Sequence, residues 1–555
     1  MATTTAARPI AKSKFDAGDW TQIEPRFDAL ERDPAKDLRK WLSKFSDLAA
    51  VLAEEENRRY VAMTCRTDDP EREKAHLHFQ TEILPKCKPR WQALKKKLVA
   101  HPQLRKLPSA FRVFLQHTKN EMEIFREANV PLEAREAELS QQYQKICGAQ
   151  TVKFDGREQT FPMMAKVLEE NDRVRRQAAW EDVTRRRLED RDPIDKIMDE
   201  LVELRGRIAK NAGFADYRAF AFRMRGRFDY TPEDCLRFHD AVEKRVVPAL
   251  RERHRIRARK LGVDPLRPWD LSVDPLARAP LRPFEKTPEL IDGCRRIFRR
   301  VHPDFAKKFD SIRKRGYLDL ESRKGKAPGG YMTVFDVERM PFIFTNAAGL
   351  QRDVETLLHE GGHSFHSLLA AKYDFLFHRN YPIEFAEVAS MGMELLGDPF
   401  LDEFYSEEDA RRAYVKHLEN MLTVFPWICS IDAFQHRLYR GADRKQAWLE
   451  IRARFQGLAD WSGYEEALAY EWHRQNHLFT VPFYYIEYAI AQMGALQVWL
   501  HAKKDRRRAV ARYRSGLSLG WTKPLPELFR AAGLKWDFSE RSLAPLIDAV
   551  MKDLE

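Results

Sequence analysis

The strongest constraint on this fold is a segment in which imidazole and carboxylate side chains interrupt an apolar helical pattern. Residues 353–371 read DVETLLHEGGHSFHSLLAA and contain H-E-x-x-H at His359, Glu360 and His363. An α-helix rises about 1.5 Å per residue with about 3.6 residues per turn, so the two histidines lie about 6 Å apart on one face. Two imidazoles at this spacing can bind one metal ion.

The rest of this segment predicts a buried helix. Asp353 is a plausible N-cap, and Gly361-Gly362 costs roughly 1 kcal/mol per glycine inside a helix, which favours a close approach of another element there. Two solvated surface histidines are the alternative interpretation. The apolar residues recur at helical spacing on the opposite face: Val354, Leu357, Leu358, Gly361, Phe365, Leu368 and Leu369.

A third metal ligand is predicted on a second helix, Phe385 to Leu396. A catalytic zinc ion takes three protein ligands and keeps one open position. Glu387 is the predicted third ligand and Glu384 the alternative. Glu394, seven residues after Glu387 and on nearly the same face, is predicted to accept the free ring N–H of a ligating histidine; an ordinary helix carboxylate is the alternative. His366 is interpreted as a core or supporting residue outside the metal set.

Four segments, in the same order along the chain, are similar to one family. They are RKGKAPGGYMT (323–333), HEGGHSFH (359–366), EVASMGME (387–394) and PFYYIEYA (482–489). The chain resembles the thimet oligopeptidase and oligoendopeptidase F family of zinc peptidases, and looks most similar to bacterial oligoendopeptidase F. The resemblance implies one zinc ion per chain and a mainly α fold, in which two helical lobes enclose a deep channel that excludes folded proteins.

The same resemblance implies catalytic roles for an aromatic segment that begins at His477. Peptide hydrolysis needs a hydrogen-bond donor for the oxyanion, and in this family a histidine and tyrosines of the corresponding segment provide it. Tyr488 is the first candidate, followed by Tyr485 and His477. Tyr484 is predicted to contact substrate, with a core aromatic as the alternative.

Residues 329–346, GGYMTVFDVERMPFIFTN, are the best strand candidates. Two β-rich runs flank a short loop, Asp336 to Arg339, which predicts a hairpin directly before the H-E-x-x-H helix. Gly329 and Gly330 can bring backbone close to a ligand, so a peptide could add as an extra strand beside them and Tyr331. A structural sheet without ligand contacts is the alternative.

The remaining segments are mostly helical and suggest three regions. Residues 1–18 lack the apolar core of a signal peptide and are predicted to be a mobile tail. Residues 19–190 are predicted to form an N-terminal helical lobe, with one hairpin at Asp155-Gly156, and residues 191–555 the catalytic zinc peptidase region.

Composition limits the partners and the location. The net charge is +12, but 84 acidic residues are interspersed among 96 basic ones and no nucleic-acid-binding module is recognisable, so no nucleic-acid partner is expected. No apolar run is long enough to predict a membrane span. The cysteines lack C-x-x-C spacing, which argues against disulfides and against a thiolate zinc site and fits the cytoplasm: Cys65, Cys87, Cys147, Cys235, Cys294 and Cys429.

The H-E-x-x-H pattern predicts a zinc-activated water with Glu360 as the general base, and the family resemblance implies a zinc-dependent endopeptidase that cleaves short unstructured oligopeptides. Two alternatives stay open. A zinc carboxypeptidase or dipeptidase could use a similar helical frame, and a catalytically silent protein could bind peptides without cleaving them. The sequence leaves the oligomeric state undetermined.

Overall fold

The structure is a computed structural model that describes residues 15–555, so most of the predicted tail, residues 1–18, lies outside the described residues. The chain is 71% helical with small sheets, which confirms the predicted mainly α fold. The described chain divides into two compact units. The first comprises residues up to Glu123, Leu281–Tyr414 and Ala491–Trp536; the second comprises Ile124–Pro280, Val415–Ile490 and Asp537–Glu555.

The first unit contains the H-E-x-x-H helix, α14. Its helices are α1 (Trp20–Arg32), α2 (Leu38–Cys65), α3 (Pro70–His78), α4 (Leu84–Val99), α5 (Arg112–Ile124), α12 (Thr287–Val301), α13 (Pro303–Lys314), α14 (Gln351–Ala370), α15 (Leu376–Arg379), α16 (Ile383–Gly397) and α22 (Leu525–Ala531). Helices α17 (Glu407–Leu438) and α21 (Ile486–Leu517) have residues in both units, and the last residue of α5, Ile124, belongs to the second unit.

The second unit is helical apart from one hairpin. Its helices are α6 (Val130–Gly148), α7 (Phe161–Val167), α8 (Arg173–Glu189), α9 (Arg191–Asn211), α10 (Tyr217–Met224), α11 (Pro232–Leu261), α18 (Arg444–Phe455), α19 (Glu465–Ala469), α20 (Asn476–Thr480) and α23 (Glu540–Leu554). Residue 190, the predicted boundary between lobe and peptidase region, lies inside this unit between α8 and α9. That boundary stays a prediction.

The hairpin predicted at Asp155-Gly156 is present. Strands β1 (Thr151–Phe154) and β2 (Arg157–Thr160) pair antiparallel. Asp155 and Gly156 both have positive φ, 51° and 73°, as a two-residue turn that matches the strand twist requires.

The hairpin predicted before α14 is also present, within a three-stranded sheet. Strands β4 (Tyr331–Phe335) and β5 (Met340–Ala347) pair antiparallel, and β3 (Leu318–Glu321), which the sequence analysis did not predict, pairs parallel with β5. The strand order is β3-β5-β4, so β5 is central. Because β5 packs against α14, the sheet lies beside the H-E-x-x-H helix as predicted.

The two glycines of α14 make its close packing possible. A Cβ on Gly361 would lie 2.4 Å from the Phe298 ring of α12, and one on Gly362 would lie 2.4 Å from the Ala389 carbonyl oxygen of α16. Both distances are shorter than van der Waals contact. The backbones of α14 and α16 therefore approach each other where only glycine fits.

Across residues 15–555, no helix combines the length and the apolar character needed to cross a membrane.

Candidate active site

Two imidazoles and one carboxylate converge between α14 and α16. The Nε2 atoms of His359 and His363 lie 3.3 Å and 3.6 Å from Glu387 Oε2. One donor atom from each of the three residues lies within 4.8 Å of the other two. Glu387 is thus the carboxylate that meets both histidines, whereas Glu384, one turn earlier, is buried outside this group.

Neighbouring groups hold these side chains in orientations that suit a metal. The Nδ1 atom of His359 lies 2.6 Å from Glu394 Oε1, and because a carboxylate accepts, Nδ1 carries the proton. Although burial acts against the charged ring, hydrogen bonds to Glu387 and Glu394 raise the pKa of His359 well above its usual range. The Ser390 hydroxyl donates to Glu387 Oε2 at 2.8 Å.

This donor set fits a zinc ion. Imidazole nitrogen and carboxylate oxygen are ordinary zinc ligands, and a metal cation between them can replace the proton that the two carboxylates draw onto His359. His359 is partly accessible, with 25% of its side chain exposed. We name these residues the H-E-x-x-H cluster: His359, Glu360, His363, Glu387 and Glu394.

Glu360 differs from the other carboxylates of this cluster. It is buried, and its Oε2 atom has no hydrogen-bond partner among residues 15–555. Burial raises the pKa of Glu360 to about 7, and the charges of Glu387 and Glu394 act in the same direction. A carboxyl group with this pKa can both accept and return a proton near neutral pH.

His366 has a different environment. Its ring stacks on Tyr381 with a centroid distance of 3.7 Å and meets Phe385 edge-on. Neither ring nitrogen has a hydrogen-bond partner among the described residues. His366 is therefore a core residue, in line with its exclusion from the predicted metal set.

The four aromatic candidates of the second unit form one cluster. The His477 ring lies 5.7 Å, 4.9 Å and 6.0 Å from the rings of Tyr484, Tyr485 and Tyr488. Phe483, the residue directly before Tyr484, has φ 60°, which is a strained backbone conformation for a side chain of this size. Tyr484 and Tyr485 follow this turn directly, and Tyr488 lies in the first turn of α21.

A chain of hydrogen bonds sets the tautomer of His477. The Trp427 indole N–H donates to Gln475 Oε1 at 2.9 Å. Because this contact fixes the position of the amide oxygen, the amide nitrogen of Gln475 faces His477. That nitrogen lies 2.7 Å from His477 Nδ1 and donates to it. Burial lowers the pKa of His477 to about 4, so the ring is neutral at pH 7 with its proton on Nε2.

The predicted peptide-binding edge is partly covered. Strand β4 is an outer strand of its sheet, but the Asn57 amide of α2 donates to the Val334 carbonyl at 2.9 Å. Tyr331 stacks on Phe344, and its hydroxyl lies 2.6 Å from Thr64 Oγ1. The two-residue stretch directly before β4 lies close to α14.

Gly329 and Gly330 form that stretch. Gly329 has φ 96°, a conformation that favours glycine. A Cβ on Gly330 would lie 3.3 Å from Thr356 Cγ2 on α14, one turn before the histidines. The backbone therefore passes close to the H-E-x-x-H cluster, within the first unit.

Comparison with known proteins assigns the family. A model described as peptidase family M3 matches residues 167–546, more than half of the chain. The chain belongs to peptidase family M3. This confirms the relationship that the four sequence segments predicted.

Relatives of this M3 chain carry oligopeptidase names. It is 25% identical over 303 residues to an oligoendopeptidase F homolog of Borreliella burgdorferi, covering 51% of this chain and 49% of the relative. It is 28% identical over 246 residues to oligopeptidase PepF of Bacillus subtilis, covering 41% and 35%. The matches thus span about half or less of these relatives.

The structural similarity extends further along the M3 chain. A solved structure described as PZ peptidase A with inhibitor 2 superposes with a TM-score of 0.89 at 26% identity, covering 98% of this chain and 99% of that one.

Sequence reasoning named Glu394 but missed two other supporting residues of this M3 chain, Ser390 and Gln475. Ser390 follows Glu387 by three residues, so helical spacing alone could have indicated it. Gln475 precedes His477 by two residues, but its partner Trp427 is distant in sequence. Only the fold brings that indole to the amide.

Proposed function

We propose that this M3 chain is a zinc-dependent endopeptidase that hydrolyses internal bonds of short, unstructured oligopeptides. One observation carries the proposal. The Glu360 carboxylate is buried without a hydrogen-bond partner among the described residues, beside two imidazoles and a carboxylate in a metal-binding arrangement. A structural metal site has no use for such a carboxylate, whereas a hydrolytic site needs it.

His359, His363 and Glu387 would hold one zinc ion. Zinc held by such a set supplies Lewis acidity, which lowers the pKa of water toward about 7 and polarises a peptide carbonyl. Glu394 keeps the proton of His359 on Nδ1, which leaves Nε2 free to bind the metal. Ser390 holds the Glu387 carboxylate in place.

Glu360 is the proposed general base. Its carboxylate accepts a proton from the attacking water and returns it to the leaving amine. With a pKa of about 7, the group is poised for both transfers at neutral pH.

His477, Tyr485 and Tyr488 are the proposed oxyanion donors. His477 is the best supported, because Gln475 occupies its Nδ1 and leaves the Nε2 proton to be donated. Removing one such donor lowers kcat by about 10²- to 10³-fold. His477→Phe should lower kcat to this extent while zinc content is unchanged.

Short peptides are the proposed partners, with Gly329, Gly330, Tyr331 and Tyr484 as substrate contacts. Asn57 covers part of β4, so we place the peptide backbone beside Gly329 and Gly330 rather than along the whole strand. The substrate channel and the cytoplasmic location stay predictions.

The deciding experiment uses internally quenched fluorescent peptides whose C-termini are amidated. The wild-type chain and Glu360→Gln are assayed side by side, and zinc is measured on both. We expect the wild type to cut internal bonds, and Glu360→Gln to retain zinc without cutting.

Other outcomes point to the alternatives. Cleavage that requires a free C-terminal carboxylate would support a carboxypeptidase, and release of dipeptides alone would support a dipeptidase. If both proteins hold zinc and bind peptides but neither cleaves, the chain is a peptide-binding protein.

A further inference from the structure

A second group of metal-binding side chains lies in the second unit, between α11 and α17. Cys235 comes from α11, and Asp432 and His436 come from α17. One donor atom from each lies within 4.8 Å of the other two. His239, one turn after Cys235, also points at Asp432. We name Cys235, Asp432 and His436, together with His239, the Cys-Asp-His cluster.

The distances around Asp432 resemble those of a metal site. His239 Nε2 hydrogen-bonds to Asp432 Oδ2 at 3.0 Å. His436 Nε2 lies 3.2 Å from the same oxygen but lacks hydrogen-bond geometry. With zinc–ligand distances of about 2.0–2.3 Å, the edges of a zinc tetrahedron are about 3.3–3.6 Å long, close to the distance between His436 Nε2 and Asp432 Oδ2.

The cluster is buried, and several of its polar atoms lack partners. The side chains of His239 and Asp432 are 0% exposed. His239 Nδ1, His436 Nδ1, His436 Nε2 and Asp432 Oδ1 have no hydrogen-bond partner among residues 15–555. A buried polar atom without a partner is destabilising, so helix packing alone does not explain this group.

From this geometry we propose that Cys235 Sγ, the Asp432 carboxylate and His436 Nε2 bind a second Zn²⁺ ion, with His239 orienting Asp432. The donor set of thiolate, imidazole and carboxylate matches zinc. The hydrogen bond from His239 corresponds to the supporting contacts that ligating residues usually receive. The site contains no counterpart of Glu360, so its proposed role is structural.

A cavity adjoins the Cys-Asp-His cluster on the side of its two histidines. The cavity, of about 360 Å³, is lined by His239 and His436. Arginines also line it, but Arg437 is paired with Glu450, and Arg454 with Asp240 and Glu243. These pairings reduce the positive charge that an entering cation meets. The lining contains two further arginines, Arg218 and Arg440.

The first test counts metal ions in the full chain. The protein is stripped with a chelator, reloaded with Zn²⁺ and analysed by mass spectrometry of the metal. We expect two equivalents for the wild type, one for Cys235→Ser and one for Glu387→Gln, which disables the H-E-x-x-H cluster. Cys429→Ser, a buried cysteine on α17 outside the cluster, is the matched control and should keep two.

The second test uses Co²⁺, whose spectrum reports its ligands. The H-E-x-x-H cluster has no thiol, so a thiolate-to-cobalt charge-transfer band can come only from a cysteine site. We expect this band in the wild type and in Glu387→Gln, and its loss in Cys235→Ser. The wild-type spectrum shows by itself whether a cysteine binds the metal, so the test holds even if Cys235→Ser does not fold.

One zinc equivalent in the wild type, without a thiolate band under Co²⁺, would leave the cluster as a buried hydrogen-bonded network. A thiolate band that survives in Cys235→Ser and disappears in Cys429→Ser would assign the thiolate to Cys429 on α17, and not to Cys235 on α11. Zinc should also raise the unfolding temperature of Glu387→Gln, and should not raise that of Glu387→Gln/Cys235→Ser.

Discussion

The H-E-x-x-H cluster and the Cys-Asp-His cluster share one arrangement but differ in their surroundings. In each, a carboxylate oxygen faces two imidazole Nε2 atoms: Glu387 at 3.3 Å and 3.6 Å in the first, and Asp432 at 3.0 Å and 3.2 Å in the second. His359 of the first cluster is 25% exposed, whereas Asp432 of the second is fully buried.

This comparison separates binding a metal from using it. Both clusters offer a suitable donor set, but only the first adds a buried carboxylate, Glu360, that is neither a metal ligand nor hydrogen-bonded within the described chain. Catalysis by a metal site requires access for substrate and a group that moves the proton. The first cluster is partly exposed at His359 and includes Glu360, whereas the second has no such carboxylate and its Asp432 is fully buried.

The largest expected effect tests this division directly. Glu360→Gln should lower peptide hydrolysis by about 10²- to 10⁴-fold, because the proton acceptor is lost while the ligands stay. Cys235→Ser should change it less than about twofold per folded molecule, since the second cluster takes no part in the chemistry. Steady-state kinetics, scaled to folded protein, measures both. If Cys235→Ser loses activity and Glu360→Gln keeps it, the assignment of catalysis to the H-E-x-x-H cluster is wrong.

A control on the same helix sharpens that result. Glu355 of α14 accepts a hydrogen bond from Gln351 at 3.1 Å and lies outside the cluster. Glu355→Gln makes the same chemical change at a carboxylate outside the H-E-x-x-H cluster, and full activity is expected.

The supporting contacts should have the next largest effect. Glu394→Gln removes the carboxylate that holds His359, and His239→Gln removes the ring that holds Asp432. Each should weaken zinc binding about 10- to 100-fold at its own cluster only. Competition with a coloured chelator measures the affinities, and the thiolate band of Co²⁺ reports the second cluster. Equal losses at both clusters in either variant would show that they are not independent.

The packing around the clusters provides a third contrast. Gly362→Ala places a methyl group 2.4 Å from backbone of α16, which cannot move cheaply, and should lower the free energy of unfolding by about 1–3 kcal/mol. Gly206→Ala, in α9 with nothing within 4 Å, should raise it by up to about 1 kcal/mol. Urea denaturation compares the two. Equal effects would mean that α14 and α16 are less closely packed than described.

The smallest expected effect concerns Ser390. Ser390→Ala removes one hydrogen bond to the Glu387 carboxylate. Zinc affinity at the H-E-x-x-H cluster should fall about three- to tenfold, while the Cys-Asp-His cluster is unaffected. An unchanged affinity in the same chelator assay would mean that α16 alone positions Glu387.

Local patterns were enough for much of the fold and the first cluster. Helical spacing predicted α14 and α16, Asp155-Gly156 predicted the β1–β2 hairpin, and the run before α14 predicted β4 and β5. Strand β3 was missed because it is short and pairs in parallel with a strand that follows more than twenty residues later. Such pairing has no local signature.

The sequence by itself determined which residues carry the first cluster, because His359, Glu360 and His363 share one helical turn and the family motif supplies Glu387. Only the tertiary structure decided that Glu360 is buried without a partner, that Trp427 and Gln475 set the tautomer of His477, and that Cys235 meets Asp432. The absence of C-x-x-C spacing argued against a thiolate site, yet two helices can supply such ligands from distant positions. Spacing along a chain reports only neighbours on one helix, and contacts between helices depend on the whole packing.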